Sequence, residues 1–133
     1  MIVYTLKQTS TFQDEIKLER TNGTCEILNI RLAITPDIVK QYRALQVRLI
    51  DLQKAQQKNP IDTGLLGEIG KTVVDVFSLL FGEENCRKIM EFYADDFTQM
   101  AAELFPYIQN AIVPHFQQLA RERKQALKRK MWK

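Results

Sequence analysis

Apolar residues recur at helical spacing most densely between Leu65 and Phe116. Leu65, Ile69, Val73, Val76 and Leu80 follow one another at steps of four, four, three and four, which sets them on one side of an α-helix. Leu66, Phe77 and Phe81 widen that stripe beyond a two-stranded seam, so it faces a packed interior. Gly82 stands where a left-handed C-terminal cap is needed, and Glu83-Glu84 suits the positive start of the next helix, which carries Cys86, Ile89, Met90 and Tyr93. Asp95-Asp96 offers an N-cap, with Gln99 placed to reach back as in a capping box; Phe97, Met100, Ala101 and Leu104 continue the buried face. Pro106 fits the first turn of a further helix, with Tyr107, Ile108, Ala111 and Ile112 on its apolar side. Pro114 removes a helical hydrogen bond to residue 110, which predicts a kink or a break between Ala111 and His115. Val73, Phe77, Leu80, Ile89, Phe97 and Leu104 are the expected core.

The pattern before residue 35 has a period of two. Ile16 and Leu18 alternate with Lys17 and Glu19; Leu28, Ile30, Leu32 and Ile34 alternate with Asn29, Arg31 and Ala33; Thr21-Asn22-Gly23-Thr24 lies between. This predicts a β-hairpin with one buried face, turned by Asn-Gly. A lone hairpin is marginal in water, so it must cover the helices, join a strand over residues 2 to 6, or pair with another chain through its edge. Thr35-Pro36-Asp37 then starts a helix: Thr35 caps, Pro36 is preset for the first turn, and Ile34 can pack on Val39. That helix runs to about Lys58, a rod of roughly 35 Å. Its heptad-like face of Ile38, Tyr42, Leu45, Leu49 and Leu52 lies opposite Lys40, Arg43, Arg48, Gln53 and Lys54. The face serves a packed bundle, the reading preferred here, or a coiled-coil contact with another subunit. QKAQQKNP, residues 53–60, is a polar loop within the domain, after which Asp62-Thr63-Gly64 reopens helix.

The fold expected is mainly α (α+β), an N-terminal β-hairpin followed by a four- to five-helix bundle. It forms one domain over residues 1–133: a hairpin arm (1–34), a helical body (35–120) and a basic C-terminal tail (121–133). At 133 residues, 45% of them apolar and 26% charged, the chain has the composition of a globular domain. Such a chain buries roughly two thirds of its unfolded surface without needing a disulfide or metal. No apolar run nears the roughly 20 residues that span a bilayer, and MIVYTLKQTS has no signal-peptide pattern, so no membrane role is expected and the location expected is intracellular. Cys25 and Cys86 lack a CxxC spacing and read as two reduced thiols.

Charge is unevenly placed. Residues 121–133 hold seven Lys or Arg against one Glu, so the tail carries +6 and the rest of the chain −3. The tail is either simply solvated or meets nucleic acid, an anionic lipid face or an acidic protein.

Candidate chemistry is sparse. One His and two distant Cys cannot build a zinc site, and His115 has no Ser or Cys at motif spacing, so no metal, no cofactor and no catalytic residue is assigned. Gly70-Lys71-Thr72 lacks the earlier Walker glycine, since position 66 is Leu; Gly64, Gly67 and Gly70 read instead as a face that another helix approaches closely. Glu83-Glu84 and Asp95-Asp96 sit where helix N-termini stabilise carboxylates, which outweighs an acid–base reading. Phe92, Tyr93 and Phe97 lie away from the basic tail, so no base-stacking platform forms; Trp132, in KRKMWK, is the exception.

One resemblance bears on function. A helix ending in Phe81-Gly82-Glu83-Glu84, a short helix, an acidic start at Asp95-Asp96, and Phe105-Pro106-Tyr107-Ile108 followed by Ile112-Val113-Pro114 resemble the C-terminal part of tail assembly chaperones of long-tailed phages and prophages of Gram-positive bacteria, over about residues 60–118. The resemblance implies a non-enzymatic protein that binds the tape measure protein in the host cytoplasm, helps tail tube subunits polymerise around it, and is absent from the finished virion. It also implies a longer frameshifted product with its junction at Lys128 to Lys133. Such a protein works as a homo-oligomer presenting apolar helical surface. The partner-binding residues expected from the pattern are Tyr42, Leu45, Leu49 and Leu52, with Arg121, Arg123, Lys124, Lys128 and Arg129 steering an acidic segment. The competing reading is a small helical nucleic-acid-binding or adaptor protein using its basic tail; an enzyme ranks last.

Overall fold

The computed structural model describes Val3 and residues 10–131, the last three of them in backbone alone. Apart from Val3, the strand expected over residues 2 to 6 lies outside the described residues, as does Trp132. The chain is mainly helical with an N-terminal hairpin, as the periodicity predicts. The hairpin pairs β1 (Thr11–Glu19) with β2 (Cys25–Ala33) antiparallel, from Thr11 opposite Ala33 to Glu19 opposite Cys25. Thr21, Asn22 and Gly23 form a three-residue loop: the Gly23 N–H donates to the Arg20 carbonyl at 3.0 Å and the Arg20 N–H to that of Thr24 at 2.9 Å. Gly23 has φ 88°, the positive value such a loop requires and glycine adopts without strain. Asn22 Oδ1 accepts from the Thr24 N–H at 3.0 Å and fixes the turn.

One face of the hairpin, with Phe12, Leu18, Leu28, Ile30, Leu32 and Ile34, is buried. Of the three ways to cover that face, the structure uses the helices, and hairpin and helices share one cluster of buried side chains. Polar contacts pin its margin: Asn85 Nδ2 donates to the Asn29 carbonyl at 2.9 Å, and Lys88 Nζ lies 3.5 Å from a Glu26 oxygen.

The helices are α1 (Pro36–Lys58), α2 (Thr63–Phe81), α3 (Glu83–Phe92), α4 (Phe97–Tyr107) and α5 (Val113–Met131). Thr35 Oγ1 caps α1 by accepting from the Ile38 N–H at 3.2 Å, and Asp62 Oδ1 caps α2 by accepting from Gly64 and Leu65. Helix α2 is the central rod, packed on α1, α3, α4 and β2, and it buries Val73, Val76, Phe77, Leu80 and Phe81.

Several expectations change. The polar stretch over residues 53–60, expected as a loop, is helical to Lys58, the end of α1. Gly82 has the positive φ expected, 88°, but its ψ is 157°; it is an extended, glycine-specific link that turns α2 straight into α3, not a left-handed cap. The capping box at α4 is half formed: Asp96 Oδ1 accepts from the Gln99 N–H at 3.2 Å, while the Gln99 amide donates to Glu103. Pro106 does not begin a helix but sits in the last turn of α4. Finally, nothing breaks at Pro114, because a π turn, Ile108–Ile112, carries α4 into α5 with the Val113 N–H bonded to the Ile108 carbonyl. Of the expected core, Val73, Phe77, Leu80, Ile89 and Leu104 are buried; Phe97 is only half-buried, because its ring lies at the chain surface over Gly70.

The small residues of α2 are not equivalent. A Cβ on Gly70 would stand 2.8 Å from Phe97 Cδ2, whereas one on Gly67 would meet nothing within 4 Å. Gly67→Ala should therefore raise stability by about 0.5–1 kcal/mol through backbone entropy. Gly70→Ala should fall about 1 kcal/mol or more below it, because the Phe97 ring must move. Urea midpoints of the two variants check this; equal midpoints would show that Phe97 does not need the glycine.

Candidate functional site

Helices α1 and α4 both pack on α2, and an open, largely apolar groove of about 880 Å³ runs between them over a floor made by α2. Ile69, Gly70, Val73 and Val76 form the floor. One wall is Tyr42, Gln46, Leu49, Ile50, Gln53 and Gln56 of α1, spanning four helical turns, roughly 21 Å. The other wall holds Phe97, Ala101, Ala102 and Phe105 of α4. Leu66 and Ile50 are 45% and 43% exposed at its mouth. The polar lining is mostly glutamine, and its only charged groups are Asp95 and Asp96 at one end.

Local geometry holds those two carboxylates in place. Beyond the end of α3, Ala94 and Asp95 have φ 52° and 60°, and the Asp95 N–H donates to the Met90 carbonyl at 2.9 Å. That reversal brings Asp96 to the start of α4 as its cap.

The expected partner-binding residues divide. Tyr42 and Leu49 are buried and form part of the groove wall; Tyr42 sets its ring 5.4 Å from that of Phe116 and accepts from Gln109 Nε2 at 3.3 Å. Leu45 and Leu52 are half-buried and line no part of the groove. Arg121, Arg123, Lys124 and Lys128 are exposed on α5, away from the groove lining; the Arg129 side chain lies outside the described residues. Helix α5 is held by buried Phe116 and half-buried Leu119, and every described side chain from Ala120 to Lys128 is exposed. Ile50, Leu66 and Phe105 were not among the expected site residues. Their signal was an apolar residue set off the main stripe of a helix, as Leu66 is.

The groove lining includes no Cys, His or Ser. Among the described residues no group of three His, Cys, Asp or Glu is placed to hold a metal. His115 is exposed and sets its ring edge-on to Phe12 at 5.3 Å. The Cys86 thiol is buried; burial first, then the charge of Asp75, pushes its pKa up, away from the reactive thiolate. Gly70-Lys71-Thr72 lies in mid-helix, with the Thr72 hydroxyl buried and donating to the Glu68 carbonyl at 2.8 Å, so it is no phosphate loop. No helix of the described residues is long and apolar enough to cross a membrane.

Two tyrosines tie the elements around the groove together. Tyr107 donates to Asp14 Oδ2 at 2.6 Å, joining α4 to the hairpin, and Tyr93 donates to Glu103, joining α3 to α4. Burial first, then the carboxylate partner, raises both phenol pKa values above the ordinary 10. The hydrogen bond from Tyr107 holds Asp14 below the usual carboxylate range. The unfolded chain therefore loses its phenol protons first, so this stabilisation is complete below about pH 10 and fades as pH rises beyond it. The Asp14 share is present above about pH 4 and fades as pH falls further. Tyr107→Phe should flatten the fall of the urea midpoint above pH 10 relative to the parent. Parallel curves would mean the phenol does not titrate with folding.

No family model, curated protein or solved structure matches this chain.

Proposed function

We propose that this chain is a non-enzymatic assembly chaperone of the phage tail kind, which holds an apolar helical segment of a tape measure protein until tail tube subunits cover it. The observation that supports this reading is the groove: four helical turns long, apolar on its floor and along α4, edged by glutamines on α1, and without Cys, His, Lys or Arg in its lining. An amphipathic helix laid into such a groove buries its i, i+3, i+4 and i+7 residues, which is how helix-in-groove recognition works. A long helical client that aggregates before it is covered needs that kind of surface in many copies, so the reading includes homo-oligomers acting in the host cytoplasm and left out of the virion.

The test is co-expression with a tape measure protein followed by pull-down at low salt and at about 0.5 M, where the Debye length is only about 4 Å and surface charge pairs are screened. Capture should survive the salt. Leu66→Glu or Ile50→Glu, placing a charge at the mouth of the groove, should weaken it by about tenfold or more. The second reading, nucleic-acid binding, is favoured by one observation, the exposed cations of α5. Complete loss of capture at high salt, with equal binding to arbitrary DNA that needs residues 121–133, would select it and retire the chaperone.

A further inference from the structure

We infer that the groove between α1, α2 and α4 receives the basic C-terminal helix of a second copy of this chain. This goes beyond the proposed function, since it names what fills the groove when no client is present, and it can be tested with this chain alone. Three observations converge on it. The first is length: from Ala120 to Met131 the helix extends roughly 18 Å, close to the roughly 21 Å of the α1 wall. The second is charge. The groove has two carboxylates at one end and no cation in its lining, whereas Arg121, Arg123, Lys124 and Lys128 stand exposed on the tail. The third is an apolar anchor: Leu127 is 63% exposed, and Arg123 and Lys124, four and three residues earlier, share its helix face. Leu127 set on the floor would turn Arg123 and Lys124 toward the groove that holds Asp95 and Asp96.

The helix cannot serve its own groove. It is the unbroken continuation of a segment fixed by Ile112 and Phe116, and its side chains from Ala120 to Lys128 leave the body. The contact is therefore head-to-tail, tail of one copy into groove of the next, and such contacts propagate into rings or open chains. A client helix entering the groove would displace the tail, so assembly and client capture compete for one surface.

Sedimentation of three purified full-length proteins tests this. The parent should form a concentration-dependent series of oligomers that shortens as salt rises. Leu127→Glu disables the tail and Leu66→Glu the groove; both residues are already exposed, so both variants should fold, as circular dichroism would show. Each alone should associate about tenfold or more weakly than the parent. Mixed in equal amounts they should form dimers and nothing larger, because only one intact tail and one intact groove remain per pair. Ile50→Glu in place of Leu66→Glu should behave the same way. A monomeric parent, variants that associate as the parent does, or a mixture that stays monomeric would each overturn the inference.

Discussion

Phe77→Ala should cost about 3–5 kcal/mol of folding stability, read as a drop in the urea midpoint at unchanged slope. The side chain is 0% exposed in the C-terminal half of α2, the helix on which α1, α3, α4 and β2 pack, and its ring lies 5.7 Å from that of Phe81 and 5.6 Å from that of Phe105. Truncation removes its transfer free energy and leaves a cavity that the close-packed surroundings only partly fill. A domain of this size holds about 5–15 kcal/mol in all, so this one truncation removes about a fifth or more of the whole margin. Leu80→Ala, one turn on and 1% exposed, should cost about 2–5 kcal/mol. If both midpoints matched the parent, α2 would not be the centre of the core.

What the sequence made legible follows from how local each determinant is. The hairpin was readable because Asn22-Gly23 and the alternation of Leu28, Ile30, Leu32 and Ile34 are signals within a few residues, and the side-chain period of two allows one register to bury the face. The starts of α1, α2 and α4 were readable for the same reason, through Thr35, Asp62 and Asp96. The groove was not. It exists because α1 and α4 both meet α2 without closing on each other, and no local pattern records the spacing of two helices that touch a third. Residues such as Leu66 and Ile50 look, in one dimension, like ordinary members of an apolar stripe. Phe97 was misjudged on the same ground: its helical phase is that of the core, but the ring stops over Gly70 at the groove wall. The tape measure partner rests on resemblance in the punctuation of the helices, and the physics of the groove supports a helical occupant without naming it.

Removing Asn110 and replacing Pro114 by Ala in the same chain should leave stability within about 1 kcal/mol of the parent, whereas inserting one residue at position 110 should cost about 3–6 kcal/mol. The reason lies in the spacing of the buried side chains Met100, Leu104, Ile108, Ile112 and Phe116, which recur every fourth residue through α4, the π turn and α5. In a plain α-helix each step of four overshoots a full turn by about 40°, so by Phe116 the stripe would have swung roughly 160° off the core. The π turn takes up one extra residue and brings it back by about 100°, inside the width of a core-facing stripe. This is why the break expected at Pro114 does not occur: the chain already departs from α geometry in the turn before it, for the sake of Ile112 and Phe116. Deleting exposed Asn110 restores plain α spacing with the same face inward, but Pro114 would then sit in a regular helix interior at a cost of about 3 kcal/mol, which the alanine removes. An added residue turns Ile112 and Phe116 away from the core instead, each losing about 1.5–3 kcal/mol of burial. Urea midpoints of the deletion, the deletion with Pro114→Ala and the insertion measure all three. An insertion as stable as the parent would show that α5 is not anchored through Ile112 and Phe116, and the projecting basic helix would lose its fixed direction.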